Sequence, residues 1–230
     1  MAFKVGLSEH VFACGQTGTG KTYRMTRLLR ARAQASRVIG IDPKAEFWLP
    51  GAKLVNDYHR KHRIQIFRPD LSDGAEKELD QYDRIFRKIW QHGEPITIYV
   101  DELNSTLPGP TSALRSLDRI YRQGRSKQIT VWAATQVPKQ IPSIVFQQST
   151  HHLIWWLNWE SDAEKVESFT FKGVADQIAA LKEYEMLYCN PRKRIRQQLA
   201  PDVDTSATLV HTPSSEDQSL FSRLAAWMRR

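Results

Sequence analysis

Gly15-Gln16-Thr17-Gly18-Thr19-Gly20-Lys21-Thr22 matches the phosphate-binding pattern G-x-x-x-x-G-K-[ST] at every fixed position. In such a loop the glycines let successive backbone N–H groups turn inward on a triphosphate. The lysine reaches the β- and γ-phosphates, and the hydroxyl of the last residue takes a place on Mg²⁺. The surroundings agree. Residues 11–14 read as a buried strand, and residues 23–35 as a helix whose amino end faces the phosphates. All eight residues are therefore candidate ATP-binding residues rather than a ligand-free Gly/Thr turn, with Thr22 also a candidate Mg²⁺ ligand.

The 230 residues suit one α/β domain with a modest tail. Hydrophobic residues make up 41% and charged residues 25%, an ordinary soluble composition. The formal charge of +8 favours a polyanionic partner, most simply nucleic acid. Cys14 lies in the strand before the loop and reads as a structural thiol of a reducing compartment; Cys189 is the other cysteine. No apolar run approaches the roughly 20 residues of a membrane span, and no signal peptide opens the chain. The expectation is a soluble, intracellular protein without membrane insertion.

Strand patterns fall at 11–14, 38–42, 64–67, 96–100, 129–135 and 152–156, with helical patterns at 21–35, 75–92, 112–123 and 162–169. Short apolar strands alternating with helices predict a mainly parallel sheet between helices. A short helix over 174–182 and an edge strand over 184–189 complete a core spanning residues 1–190. Residues 191–230 read as a basic linker, opening Pro191-Arg192-Lys193-Arg194-Ile195-Arg196, and an amphipathic helix over 219–230. That helix packs on its own domain or docks on a neighbour.

Ile96-Thr97-Ile98-Tyr99-Val100-Asp101-Glu102 is an apolar strand ending in two acids. A Walker B element needs this arrangement: Asp101 for the Mg²⁺ shell, Glu102 to orient and polarise the attacking water. Two strands fit between the phosphate loop and this pair. The fold class is thus a RecA-like P-loop NTPase, with an additional strand between the two catalytic strands and a catalytic glutamate, as in RecA-like and AAA-type motors. Ile129 to Thr135 is the next buried strand, and Gln136 at its tip either senses the γ-phosphate or is a solvated loop residue. Around Gly124, a helix stop, Arg122 and Arg125 are candidates for a planar donor to transition-state charge in a neighbouring subunit. The alternative is a solvated basic helix end that complements the dipole.

Together these segments resemble the FtsK/HerA superfamily of DNA-pumping ATPases. The resemblance rests on GQTGTGKT at 15–22, IYVDE at 98–102, GRSKQITVWAATQVP at 124–138 and IGIDPKAEF at 39–47, where Asp42 and Glu46 match the family's Asp-Pro-x-x-Glu strand end. It covers roughly residues 9–160. Val137 departs from the Arg that often follows the Gln in relatives. The chain has no room for the N-terminal barrel of HerA, and it carries neither the membrane helices nor the DNA-reading end domain of FtsK. It looks most like the small genome-packaging ATPases of double-stranded DNA viruses. That resemblance implies a homo-oligomeric ring that hydrolyses ATP between neighbours and drives double-stranded DNA into a preformed capsid. It further implies a capsid or portal partner, and a location in the host cytoplasm or at the packaging vertex of the virion. Two alternatives stand beside it: a plasmid, conjugation or phage-export ATPase of the same superfamily, and a nucleotide-dependent switch or scaffold that moves no DNA.

A ring motor needs basic loops that meet phosphates without reading bases, and Arg60-Lys61-His62-Arg63 and Lys139-Gln140 are the candidates. Ile154-Trp155-Trp156-Leu157-Asn158-Trp159 reads as a sheet strand with core and interface tryptophans rather than a base-stacking platform. His151-His152 has no clustered ligands at metal spacing.

Overall fold

The computed structural model describes residues 3–72 and 74–200. From Val5 onward they fall in one folding unit, Val5–Pro201. The helix expected over 219–230 lies outside the described residues.

Among the described residues nine strands form one sheet: β1 (His10–Cys14), β2 (Arg37–Ile41), β3 (Lys53–Val55), β4 (Ile64–Phe67), β5 (Ile96–Val100), β6 (Ile129–Thr135), β7 (Ser149–Ile154), β8 (Met186–Asn190) and β9 (Ile195–Leu199). Their order across the sheet is β3-β4-β2-β5-β6-β1-β7-β8-β9. Strands β1 to β7 are mutually parallel, and β8 and β9 close the far side as antiparallel neighbours. β6 therefore separates β1, which feeds the phosphate loop, from β5, which feeds Asp101 and Glu102. The additional strand is where the sequence places it, and the mainly parallel α/β fold stands.

The helices are α1 (Lys21–Ala35), α2 (Ala75–His92), α3 (Arg115–Gln123), α4 (Ser143–Gln148), α5 (Glu160–Glu167) and α6 (Val174–Ala179). Strands β1, β5, β6 and β7 are buried along their whole length, as expected of a parallel sheet covered on both faces. On one face Ile98, Val100, Val131 and Ala133 join Tyr82, Ile85, Phe86 and Ile89 of α2, Ile120 and Tyr121 of α3, and Phe146 of α4. The α2 residues recur at the 3, 4 spacing that puts them on one helix face. Alternation sends Thr97, Tyr99, Thr130 and Trp132 to the opposite face, beneath α1.

Arg32 secures α1 to that second face. Its Nε donates to Thr97 Oγ1 at 2.8 Å, and its terminal nitrogens donate to the carbonyls of Val5, Gly6 and Leu7 at 3.3, 3.1 and 3.0 Å. The guanidinium also lies 5.3 Å from the Trp132 ring centroid. Burial lowers its pKa to about 10, which leaves it charged at neutral pH. One buried cation thus holds the helix that follows the phosphate loop, strand β5 and the chain's early segment together.

The structure departs from the sequence reading in four places. β3 and α4 were not anticipated; β3 is three residues long with Lys53 and Leu54 exposed, too short for a strand pattern. β7 ends at Ile154 rather than 156, yet Trp155 N–H still donates to Cys14 O and Trp156 O still accepts from Gln16 N–H, so these residues flank the phosphate loop. β8 is not an edge strand, because β9 pairs with it from Asn190↔Ile195 to Met186↔Leu199. The chain accordingly stays in the sheet through Leu199, past the linker boundary expected after residue 190. Arg32→Ala is expected to cost about 3 kcal/mol in urea-unfolding stability, through lost hydrogen bonds to a buried charge; a loss below about 1 kcal/mol would contradict this account of α1.

Candidate functional site

Four neighbouring strands, β2, β5, β6 and β1, deliver their carboxyl ends to one edge of the sheet. Asp42 follows β2, Asp101 and Glu102 follow β5, Gln136 follows β6, and the Gly15–Thr22 loop follows β1. Open parallel sheets bind ligands at this edge, where strand ends and helix starts leave polar backbone exposed.

The loop has the shape its glycines allow. Gly15 N–H donates to Thr135 O, so the loop leaves β1 alongside the tip of β6. A Cβ on Gly15 would lie 2.6 Å from Trp155 Cβ; this glycine is required by close approach. Gly20 is required for another reason: as the N-cap of α1 it takes φ +88°. Lys21 is buried at the start of α1, whereas Thr22 is exposed.

Three carboxylates are buried together. Asp42 has no solvent exposure, Glu102 is 4% exposed and Asp101 8%. Burial raises the Asp101 carboxyl above its ordinary range, and the charges of Asp42 and Glu102 add to this; a hydrogen bond from Tyr99 and the charge of Lys21 oppose it. Tyr99 Oη donates to Asp101 Oδ1 at 2.6 Å. Asp42 accepts from Arg68 Nε at 2.9 Å through Oδ2 and from Glu46 N–H at 3.1 Å through Oδ1. Glu46 thus serves Asp42 through its backbone, while its side chain is exposed.

Glu102 is held most closely. Its backbone adopts φ +65°, ψ +70°, a left-handed conformation that costs a non-glycine residue about 1 kcal/mol or more. This turns the side chain from β5 toward the tip of β6. There Oε1 accepts from Gln136 N–H at 3.1 Å and from Thr135 Oγ1 at 3.2 Å, and Oε2 pairs with Lys44 Nζ at 3.2 Å. Thr135 Oγ1 also lies 3.1 Å from Asn104 Oδ1 and accepts from Val137 N–H at 3.1 Å. On the other side, Thr17 Oγ1 donates to Gln136 Oε1 at 2.8 Å. Gln136 thus touches both the phosphate loop and Glu102, which is what a residue reporting on a terminal phosphate requires.

Among the described residues neither arginine pairs with the phosphate loop or the three carboxylates. Arg122 forms an exposed i,i+4 pair with Asp118 at 2.8 Å. It lines a surface cleft of about 380 Å³ with Pro110, Lys139, Ser143 and Lys165. Arg125 lies in the turn Gly124–Lys127 before β6, at the amino edge of the sheet, where its charge acts on His10 and Arg192. Among the basic loop candidates, Arg60 pairs with Glu94, and Arg63 donates to the Ala33 and Gln34 carbonyls at the end of α1. Two of the four residues of that run are therefore structural. Lys139 and Gln140 are exposed in the turn that follows β6, at the same edge as the phosphate loop.

Trp155 is a core residue, as read from the sequence, while Trp156 and Trp159 are exposed. His151 is buried and bridges Glu9 Oε2 and Tyr188 Oη, each at 2.9 Å. Burial raises the Cys14 thiol pKa, as a structural thiol requires. Sequence reasoning missed Lys44, Thr135, Asn104 and Arg68. Lys44 was visible inside Asp42-Pro43-Lys44-Ala45-Glu46, and Thr135 beside Gln136, but neither carries a motif of its own.

No family model matches the chain, and no curated protein sequence matches it. Solved structures do. The genome packaging NTPase B204 of Sulfolobus turreted icosahedral virus 2, in complex with AMPPCP, matches with a TM-score of 0.68 at 14% identity, over 86% of this chain and 100% of that one. VirB4 of Thermoanaerobacter pseudethanolicus matches with a TM-score of 0.67 at 12% identity, over 93% and 94%. The bacterial conjugative coupling protein TrwB matches with a TM-score of 0.65 at 11% identity, over 86% of each. The chain has the fold of these proteins.

The Lys44–Glu102 pair is half-exposed on one side only, so it should couple measurably. A double-mutant cycle with Lys44→Met and Glu102→Gln is expected to return a favourable coupling of about 1 kcal/mol in unfolding stability. A coupling of zero would mean that Lys44 does not hold the glutamate.

Proposed function

We propose that the chain is the ATP-hydrolysing subunit of a homo-oligomeric ring that translocates double-stranded DNA, and that its service is the packaging of a viral genome into a preformed capsid. The observation that carries this reading is the junction of Thr17, Gln136 and Glu102, which joins the phosphate loop to a buried carboxylate across the inserted strand β6.

In this reading the backbone of residues 15–20 cradles the phosphates of ATP, and Lys21 neutralises the β- and γ-phosphates. The Thr22 hydroxyl and the Asp101 carboxylate are hard oxygen donors that suit Mg²⁺, and they are the residues that would hold it. Bound there, the ion supplies charge stabilisation to the transferred phosphoryl group. Glu102 orients a water toward the γ-phosphorus and takes its proton as the new P–O bond forms; the bond to the β-phosphate oxygen breaks, releasing ADP and orthophosphate. Thr135, Gln136 N–H and Lys44 fix the carboxylate. Gln136 exchanges its Thr17 contact for the γ-phosphate, so nucleotide state reaches β6 and the Pro138–Gln140 turn.

Neither Arg122 nor Arg125 pairs with the loop or the carboxylates of its own chain, so either is free to serve as the finger for a second copy. Arg125 is the stronger candidate, since Arg122 has Asp118 as its partner. Lys139 and Gln140 are the proposed contacts to the DNA backbone, consistent with the net charge of +8. Among the described residues no helix is long and apolar enough to cross a membrane. The host cytoplasm or the packaging vertex is the proposed location, with a capsid or portal protein as partner. A conjugation or export ATPase is the second reading, favoured by the similarity to the conjugative coupling protein TrwB over 86% of each chain.

Lys21→Ala and Glu102→Gln are each expected to lower ATP turnover at least 100-fold; near-wild-type turnover in either would sink the mechanism. Arg125→Ala should be equally inactive alone but regain activity when mixed with Glu102→Gln, since some interfaces then pair an intact Glu102 with an intact Arg125. Mixed assemblies that stay inactive would argue against a finger acting between subunits.

A further inference from the structure

Tyr184 precedes β8 in a turn that nothing in the proposed chemistry uses. Its ring rests on the phosphate loop: a Cβ on Gly20 would lie 3.3 Å from Tyr184 Cδ1. The residue is 45% exposed, so one side of the ring packs on the loop and the rest meets solvent. Its backbone takes φ +61°, a conformation that a bulky residue rarely adopts.

The turn itself holds this conformation. Glu185 N–H donates to Lys182 O at 3.0 Å, and Glu185 Oε2 accepts from Lys182 N–H at 2.9 Å and from Gln198 Nε2 at 2.8 Å. Leu181 and Met186 anchor it from either side in the core. A strained backbone that presents a half-exposed aromatic to a ligand loop is the arrangement expected of a recognition residue.

Sheet order fixes which end of a nucleotide the ring would meet. Glu102 and Gln136 approach the loop from β5 and β6, on one side of β1; the Tyr184 turn approaches from β8, beyond β7, on the other. A triphosphate whose terminal phosphate faces Glu102 and Gln136 must carry its nucleoside out on the opposite flank. We propose that Tyr184 forms the stacking wall of a nucleobase subsite at Gly20, so that the chain recognises the base of a nucleoside triphosphate and not its phosphates alone. This inference rests on the nucleotide reading of the phosphate loop.

Equilibrium binding of ATP and of inorganic tripolyphosphate, each with Mg²⁺, tests it on wild type, Tyr184→Phe, Tyr184→Ala and Tyr184→Gly. Tyr184→Gly removes the ring and the left-handed strain together, so it should melt at or above the wild-type temperature. Both truncations are expected to weaken ATP about ten-fold or more and leave tripolyphosphate within two-fold, while Tyr184→Phe binds both like wild type. ATP affinity unchanged in Tyr184→Gly would overturn the proposal, as would equal losses for the two ligands, which would make the ring a support for the loop. Wild-type protein that binds neither ligand would instead overturn the nucleotide reading itself.

Discussion

Burying Asp42, Asp101 and Glu102 side by side at the ends of β2 and β5 is unfavourable unless each finds partners, and the rest of the site follows from that demand. Isolated carboxylates do not survive burial; they are paired, hydrogen-bonded or neutralised. Arg68 and a backbone N–H answer Asp42, Tyr99 and Lys21 answer Asp101, and Lys44, Thr135 and Gln136 N–H answer Glu102. These partners come from β2, β4, β5, β6 and α1, or from the turns that follow them. No single element could supply them. The inserted strand β6 matters most, because it carries the only tip that touches both the loop and the glutamate among the described residues.

The same edge explains why chemistry and movement would be linked. Glu102 is held in a strained backbone by a hydroxyl, an N–H and one cation. Gln136 stands between the loop and the exposed turn at Lys139. In the proposed reading a change at the phosphates reaches that turn through Gln136. In that reading one chain offers the cradle and the carboxylate, and a neighbour offers the finger.

Legibility followed the physical origin of each feature. The phosphate loop could be read directly, because its glycines meet local backbone demands: close approach at Gly15 and positive φ at Gly20. β5 and β6 were legible as nearly continuous apolar runs, a property of strands buried on both faces. The two strands legible between the phosphate loop and the Asp101-Glu102 pair implied an additional strand between the catalytic strands, hence the fold class; that β6 is this strand came from the sheet order. Lys44–Glu102 and Thr17–Gln136 were not legible as contacts, since their partners are 58 and 119 residues apart. β9 escaped notice because Ile195-Arg196-Gln197-Gln198-Leu199 has the composition of a solvated linker, and only Leu199 of it is buried. Tyr184 carries no pattern at all; its meaning lies in a turn conformation and in a glycine more than half the chain away.

The most direct test of the account is steady-state ATP hydrolysis by the wild-type chain over a range of protein concentrations, with and without long double-stranded DNA. Sites completed by a neighbour and coupled to DNA predict turnover per subunit that rises steeply with concentration and rises again when DNA is added. Turnover indifferent to both would leave the phosphate loop standing and contradict the ring motor, in favour of a nucleotide-dependent switch.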